Sequence, residues 1–336
     1  MNQIEQQLKI VKDSLNEGKT DTLPLKLIEQ QLSFFINGVK TQELVRPCLV
    51  NDGIIQINEN EYSELITAFD VADNAGRLIK FVPASGAASR MFQKFQSVLN
   101  RFQNLSFTDL KIKSEIDKEC KIVYEFLINI SSFAFYDDLK TVLNADDTKI
   151  QKLINESPTE IIKAVLFESG LNYSSKPKGA IKFHRYKDEC RTAFEEQIHE
   201  TLNYIIGKNK NVKIHFTISE EHTSLFIDII DELKSKLSKT KSKIDVTYSY
   251  QKKSTNTIAV DKNNKLLFDT SGNLILRPGG HGALLENLND LKADIVVIKN
   301  IDNLSVEGLC ADTILYKKLL IGFLILSKLE FIRNSQ

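Results

Sequence analysis

Several short segments of this chain place small, cationic or acidic residues where they could handle a phosphorylated ligand. Ala84-Ser85-Gly86-Ala87-Ala88-Ser89-Arg90 sets a run of small residues ahead of an arginine, between an apolar run and a helical pattern. Small side chains let a backbone come close to a ligand, and a helix N-terminus offers N–H groups and a positive dipole end to a phosphate. Arg90 adds a planar cation able to grip phosphate oxygens in pairs. The alternative is a tight strand-to-helix turn packed on a sheet. Lys176-Pro177-Lys178-Gly179 holds the Lys178 ammonium between a rigid and a flexible residue, which also describes an ordinary surface turn. Arg277-Pro278-Gly279-Gly280-His281-Gly282 gathers three of the fourteen glycines within four residues. That suits a backbone pressed against a flat ligand such as a nucleobase, or a strained turn without one. Asp302, between Asn300 and Asn303, follows an apolar run and is either a Mg²⁺ ligand or a helix cap.

Other chemistries are excluded. No Gly-Lys-Ser/Thr follows Gly86, so there is no P-loop, and the three-glycine dinucleotide fingerprint is missing. His199-Glu200 opens like a metalloprotease helix, but Asn203 occupies the place of the second ligand. Cys48, Cys120, Cys190 and Cys310 lie at least 70 positions apart and form neither a zinc knuckle nor a disulfide framework. Lys+Arg and Asp+Glu stand at 44 each, so the overall charge does not mark a nucleic-acid or membrane-surface binder. The apolar run Leu319 to Leu326 is far short of the roughly 20 residues that span a bilayer. Met1 to Lys12 has no signal-peptide pattern, so a cytoplasmic location is expected. Oligomeric state is not legible.

The positioning elements follow from periodicity. Residues 1–17, 24–38 and 60–75 carry apolar positions at three-and-four spacing and are expected as a helical lead-in, 1–75. Arg77 to Pro83 reads as a buried strand. Helices are expected at 88–102, 114–131, 147–156, 158–168, 189–206, 220–237, 283–290 and 312–333, with strands at 212–218, 244–250 and 294–299. Strand alternating with helix implies an α/β fold, with a mainly parallel sheet and helices on both faces, over 76–333. The largely helical stretch 103–170 stands as an insertion. Ligands of open α/β sheets bind beyond the carboxyl ends of strands, and Ser85–Arg90, Ser219–His222, Gln251–Ser254 and Asn300–Asn303 lie at such ends.

Taken in this order, the segments resemble an uncharacterised bacterial domain family that shares the phrases PASGAASRMF, KPKG, FHRY, RTAFEE, RPGGHGALLENLNDL and KNIDN, over about residues 60 to 330. That family in turn resembles the UDP-sugar pyrophosphorylases. The resemblance implies a Rossmann-like fold of the nucleotide-diphospho-sugar transferase type. It implies a triphosphate loop at Ser85, Gly86, Ala87, Ala88, Ser89 and Arg90, and a phosphate-binding Lys178. It also implies a uracil-reading loop at Pro278, Gly279, Gly280, His281 and Gly282, Gln251 near the base or ribose, and Mg²⁺ on Asp302. The implied reaction joins UTP and a sugar-1-phosphate and releases pyrophosphate, with neither nucleic acid nor membrane as partner. Two glycines of the pyrophosphorylase loop are Ser85 and Ala88 here, and 103–170 separates Arg90 from Lys178. Only 33 residues follow Asn303, so a nucleotide-binding or regulatory protein without catalysis, such as a shortened form of a longer enzyme, is the alternative expectation. A phosphotransferase-like use of another phosphorylated ligand is a third.

Overall fold

The computed structural model describes residues 3–16, 23–207, 210–237 and 243–334. Four strands form the central sheet: β1 (Leu78–Pro83), β2 (Asn211–Ile218), β3 (Lys243–Tyr250) and β4 (Ile295–Ile298). Their spatial order is β4-β1-β2-β3. β1 lies parallel to β4, with Leu78 opposite Ile295 and Phe81 opposite Ile298. It is also parallel to β2, with Lys80 opposite Ile214 and Pro83 opposite Thr217. β1 and β2 are buried along nearly their whole length. Lys80 on β1 and Lys213, His215 and Thr217 on β2 interrupt the apolar residues, and Lys80, His215 and Thr217 are buried all the same, as on strands covered on both faces. The expected α/β class with a mainly parallel sheet is the observed one.

The chain forms two compact units, one made of the chain up to Ser63 with Tyr250–Lys292, the other of Glu64–Ser249 with Ala293 onward. In the smaller unit, helices Gln3–Asn16 and Leu25–Asn37 share a core with a later segment: Val11, Ile28 and Leu32 meet Ile258, Leu266 and Leu274. Two glutamines fix the contact. The Gln7 side chain accepts from the Leu266 amide (2.6 Å) and donates to Asn264 O (2.9 Å), and Gln31 accepts from the Ile258 amide (2.8 Å). The third helix of the expected lead-in, Tyr62–Asn74, packs elsewhere: Phe69 and Ala72 join Leu78, Ile295 and Ile321 in the larger unit.

Between β1 and β2 lies a helical body made of Phe107–Ser114, Lys118–Ile128, Tyr136–Val142, Asp147–Glu156 and Pro158–Leu166. These are short helices with marked starts. The side chains of Ser106, Asp117 and Asp146 accept from backbone amides of the first turns, and Pro158 opens the last helix, where its missing N–H costs nothing. Val123, Leu127, Ile150 and Ile161 fill one core with Phe95, Phe126 and Phe135; Phe95 meets Phe126 edge to face, and Phe133 lies tilted against Phe126 and Phe135.

Several expected elements are corrected. Asp117 caps a new helix, so the expected helix 114–131 is broken and a separate one ends at Ser114. The expected helix 88–102 is a 3₁₀ turn, Ala88–Arg90, followed by a helix over Gln93–Arg101. The expected helix 189–206 begins only at Ala193, because Cys190–Thr192 pairs antiparallel with Lys182–Arg185. Thr192 and Glu195 close a capping box at that boundary. Among the described residues, no helix is long and apolar enough to cross a membrane.

The last helix, Ala311–Asn334, approaches helix Tyr62–Asn74 at Gly322, where an added Cβ would lie 2.0 Å from the Leu65 carbonyl oxygen. The backbone cannot yield cheaply there. Gly322→Ala should destabilise the protein by about 1–3 kcal/mol in thermal or urea unfolding. Gly308→Ala, whose Cβ would point into open space, should change stability far less.

Candidate functional site

The small-residue loop after β1 and the lysine loop are joined through their backbones. Ala87 forms an antiparallel bridge with Pro177, the Ala88 amide donates to Lys176 O (3.1 Å), and the Lys178 amide donates to Gly86 O (3.1 Å). The 103–170 body therefore does not part Arg90 from Lys178; its two ends meet at this bridge. The exit of β2 joins them too. His222 Nε2 donates to Ser175 O (3.0 Å), since a carbonyl only accepts, and Nδ1 lies 2.6 Å from Ser219 Oγ.

Opposite this pair of loops, the turn after β4 presents Asp302, and Lys178 Nζ lies 2.5 Å from Asp302 Oδ2. Both side chains are part-exposed, at 23% and 37%. The loop beside them is open. Gly86, Ala87, Ser89 and Arg90 are exposed, Ser85 is half-buried, and a Cβ built on Gly86 meets nothing within 4 Å. Ala88 differs, being fully buried with its amide committed to Lys176. Gly179 has a packing reason, because any Cβ there would strike the Phe194 ring at 2.4 Å.

Gln251 and the glycine loop come together within the smaller unit. Gln251 Nε2 donates to Gly279 O (3.3 Å), and Gly279 has no room for a side chain, its Cβ position being 2.7 Å from Thr255 O. Gly280 and Gly282 face open space. The His281 side chain lies outside the described ones.

The helix Ala193–Leu202 sets the larger unit's site from below. Most of its residues are buried, although it carries Glu195, Glu196, Gln197 and Glu200. Gln197 donates to Asn300 O (2.8 Å) and Ile301 O (3.3 Å), which fixes the turn that carries Asp302. One turn on, Glu200 binds three lysines: Lys80 of β1 (3.2 Å), Lys317 of the last helix (3.5 Å) and Lys299 just after β4. Burial works to raise the Glu200 carboxyl, but the three ammonium groups outweigh it and hold it below its ordinary range. Toward the helix start, Glu196 Oε1 meets His184 Nδ1 (2.9 Å) and the Tyr186 hydroxyl (2.7 Å). Arg191 links this group to the loop after Asp302 through Glu307 (2.7 Å).

The phrases FHRY and RTAFEE are visible in the sequence, but their roles are not. A signal was present: four acidic or amide side chains in ten residues, on a helix that must still pack. A cavity of about 660 Å³ runs along the outer side of β4 and reaches the Asp302 turn through Asn300 and Asn303. For a metal, the donor set is thin. Among the described residues no three His, Cys, Asp or Glu side chains gather around one point. One carboxylate suits Mg²⁺ when substrate phosphates supply further ligands, so Asp302 fits an ion carried in by a triphosphate rather than a resident one.

The sequence matches the family described as a domain of unknown function, DUF4301, over residues 12–334. The chain belongs to that family. No curated protein matches it. Among solved structures, the DUF4301 chain is similar to the uridine diphosphate N-acetylglucosamine pyrophosphorylase from Trypanosoma brucei, solved in complex with an inhibitor, at 14% identity and a TM-score of 0.42. The match covers 80% of this chain and 39% of that one, so the DUF4301 chain spans about two fifths of that neighbour's length.

The lysine cluster predicts a pH dependence. Burial pulls the Lys80 ammonium down to about 7 against the attraction of Glu200. The unfolded chain, with the ordinary value of 10.5, then holds this proton more tightly than the folded one. Stability should therefore rise between about pH 7 and pH 10.5. Lys80→Met should flatten that rise and melt no lower than the native chain at pH 7, because Lys299 and Lys317 still neutralise Glu200. Thermal unfolding at pH 7 and pH 9 checks both.

Proposed function

We propose that this chain is a nucleotidyltransferase of the uridylyl type, with a sheet of the nucleotide-diphospho-sugar transferase kind, joining UTP to a sugar-1-phosphate. The observation that carries this reading is the Lys178–Asp302 pair, opposite charges 2.5 Å apart, beside an open loop of small residues that ends in Arg90. Without ligand, the ammonium and the carboxylate neutralise each other. A Mg²⁺-bound triphosphate offers each a better partner, phosphate oxygens for Lys178 and the cation for Asp302. In this reading Ser85, Gly86, Ala87 and Ser89 let the phosphates approach, Ala88 anchors their loop, and Arg90 and Lys178 are the catalytic cations. Gln251 and the main chain of Gly279, Gly280, His281 and Gly282 take the base.

An oxygen of the sugar-1-phosphate attacks the α-phosphorus of UTP as the bond to the bridging oxygen breaks, and pyrophosphate leaves. Such a transfer asks the protein for position and charge neutralisation rather than a covalent step. A Mg²⁺ ion at Asp302 would add neutralisation of the phosphate oxygens.

A nucleotide-binding or regulatory role without turnover is favoured by one observation. The Ala88 amide is already bonded to Lys176, so the loop has one donor fewer for a triphosphate than its length suggests.

Pyrophosphate release from UTP, Mg²⁺ and a panel of sugar-1-phosphates decides between them. Lys178→Ala and Asp302→Ala should each lower turnover about 100-fold, the usual cost of one transition-state charge contact. UTP binding without turnover, unchanged in Asp302→Ala, would support the second reading. Neither binding nor turnover would remove both.

A further inference from the structure

β4 is an edge strand of the described sheet, and its outer side borders the 660 Å³ groove, whose other wall is the helix Ala311–Asn334. The two ends of the groove differ in chemistry. Ile321 and Ile325 share a core with Leu78 and Ile295, so the middle of the helix sits beside the start of β4. Lys317, about one turn earlier, reaches the carboxylate that binds Lys299 at the end of β4. The polar end is therefore lined by Lys299, Lys317, Asn303 and Thr313, and the apolar end carries Leu320 and Leu324, which are 60% and 55% exposed.

Charge at the polar end does not balance. Lys80, Lys299 and Lys317 converge on Glu200 alone, which leaves two positive charges over when all are ionised. Lys80 is well served, since it also donates to Gln197 O (3.1 Å) and lies over the Tyr204 ring. With Lys80 neutral, one positive charge is still unmatched. Lys299 is 7% exposed and, among the described residues, its ammonium bonds only to Glu200. A buried ammonium has three protons to place, and surplus cationic charge away from water is costly until an anion joins it.

The geometry points to a second ligand site here: a single-chain organic anion whose phosphate or carboxylate head sits on Lys299 and Lys317 and whose apolar tail lies along Leu320 and Leu324. The groove volume falls within the roughly 300–1,000 Å³ of small-molecule pockets. Charge selects the head, and the exposed leucines select the tail. The site is independent of the nucleotide reading, although Asn303 borders both.

Calorimetric titration of the full chain tests it, with octyl phosphate and octanoate below their micelle concentrations, and inorganic phosphate and octanol as controls. At least one amphiphilic anion should bind about tenfold or more tighter than inorganic phosphate, since burying even two methylenes accounts for that factor. Octanol should bind far more weakly. Lys317→Gln should weaken the preferred amphiphile about tenfold, the loss of one charge-assisted hydrogen bond. Without ligand, this variant should melt no lower than the native chain, because it removes a surplus cation. Leu324→Asp, at an exposed position the fold does not need, should weaken the same amphiphile and leave inorganic phosphate unchanged. Lys178→Ala should leave amphiphile binding intact whether or not UTP binds. Failure of both amphiphiles, equal binding of octanol, unchanged affinity in Lys317→Gln or a lower melting point of that variant would each overturn the assignment.

Discussion

One buried carboxylate ties together the parts that must stay in register. Glu200 reaches Lys80 on the central strand, Lys299 just beyond the edge strand and Lys317 on the last helix. These lysines come from positions far apart in the chain, so a single acid closes three long loops. Removing the shared acid is the costly change, about 3–5 kcal/mol for buried charge left uncompensated, whereas each lysine is one of three cations around it. Loss of Glu200 would leave three cations with no counter-charge. The helix that carries it extends the same control outward. Gln197, three residues earlier and on the same face, holds the carbonyls of Asn300 and Ile301, and Glu196 holds His184 and Tyr186. The start of the turn with Asp302 is thus held by Lys299 and by Gln197.

The second constraint is made of backbone. Six α-helices, Gln93–Arg101 and the five of the helical body, lie in sequence between the small-residue loop and the lysine loop, yet the bridge at Ala87 and Pro177 makes them a closed excursion. Loop-closure entropy grows only slowly with length, so once those amides are paired the size of the excursion matters little. The body needs its own core to stay folded, and the run of phenylalanines beside Val123, Leu127 and Ile161 supplies it. Arg90 and Lys178 then depend on one another through main-chain hydrogen bonds, which side-chain substitutions in the body do not touch.

How much of this could be read beforehand follows from what each interaction leaves in the sequence. β1 and β4 were legible as short, mainly apolar runs between turn residues, and β2 and β3 as segments alternating apolar and polar residues, rich in β-branched and aromatic types. The helix over Ala193–Leu202 was legible, but the strand before it was not: Cys190-Arg191-Thr192 has no local mark that separates it from a first helical turn, and its pairing with Lys182–Arg185 decides. The smaller unit was hidden for a different reason. Gln7 meets Leu266 across 259 positions, and a contact of that span leaves no periodicity in either segment. The residues of the candidate site were singled out by type and place, and the Lys178–Asp302 contact could be found only in three dimensions. Lys80 shows the limit most clearly. Within RLIKFVP it looks like an ordinary polar interruption, and nothing nearby tells that its ammonium is fully buried against an acid 120 positions later.

Strand order explains why these constraints meet where they do. β1 lies between β2 on one side and β4 on the other, and the chain leaves β1 toward β2 but enters β4 only after β3. Connections that depart to opposite sides of the sheet open a crevice between the carboxyl ends of the two neighbouring strands. Here those ends are Pro83 and Ile298, and the loops that leave them are Ala84–Arg90 and Asn300–Asn303. The crevice is not lined by strong intrinsic binders. The Lys178–Asp302 pair lies at these strand ends, while the greater concentration of charge lies around Glu200. Charges below a site cannot touch its ligand, but they set how firmly the turn above is held. They also leave an unbalanced cation on the far side of β4, where the groove begins. The same cluster that makes the Asp302 turn rigid therefore makes the edge of the sheet attractive to anions.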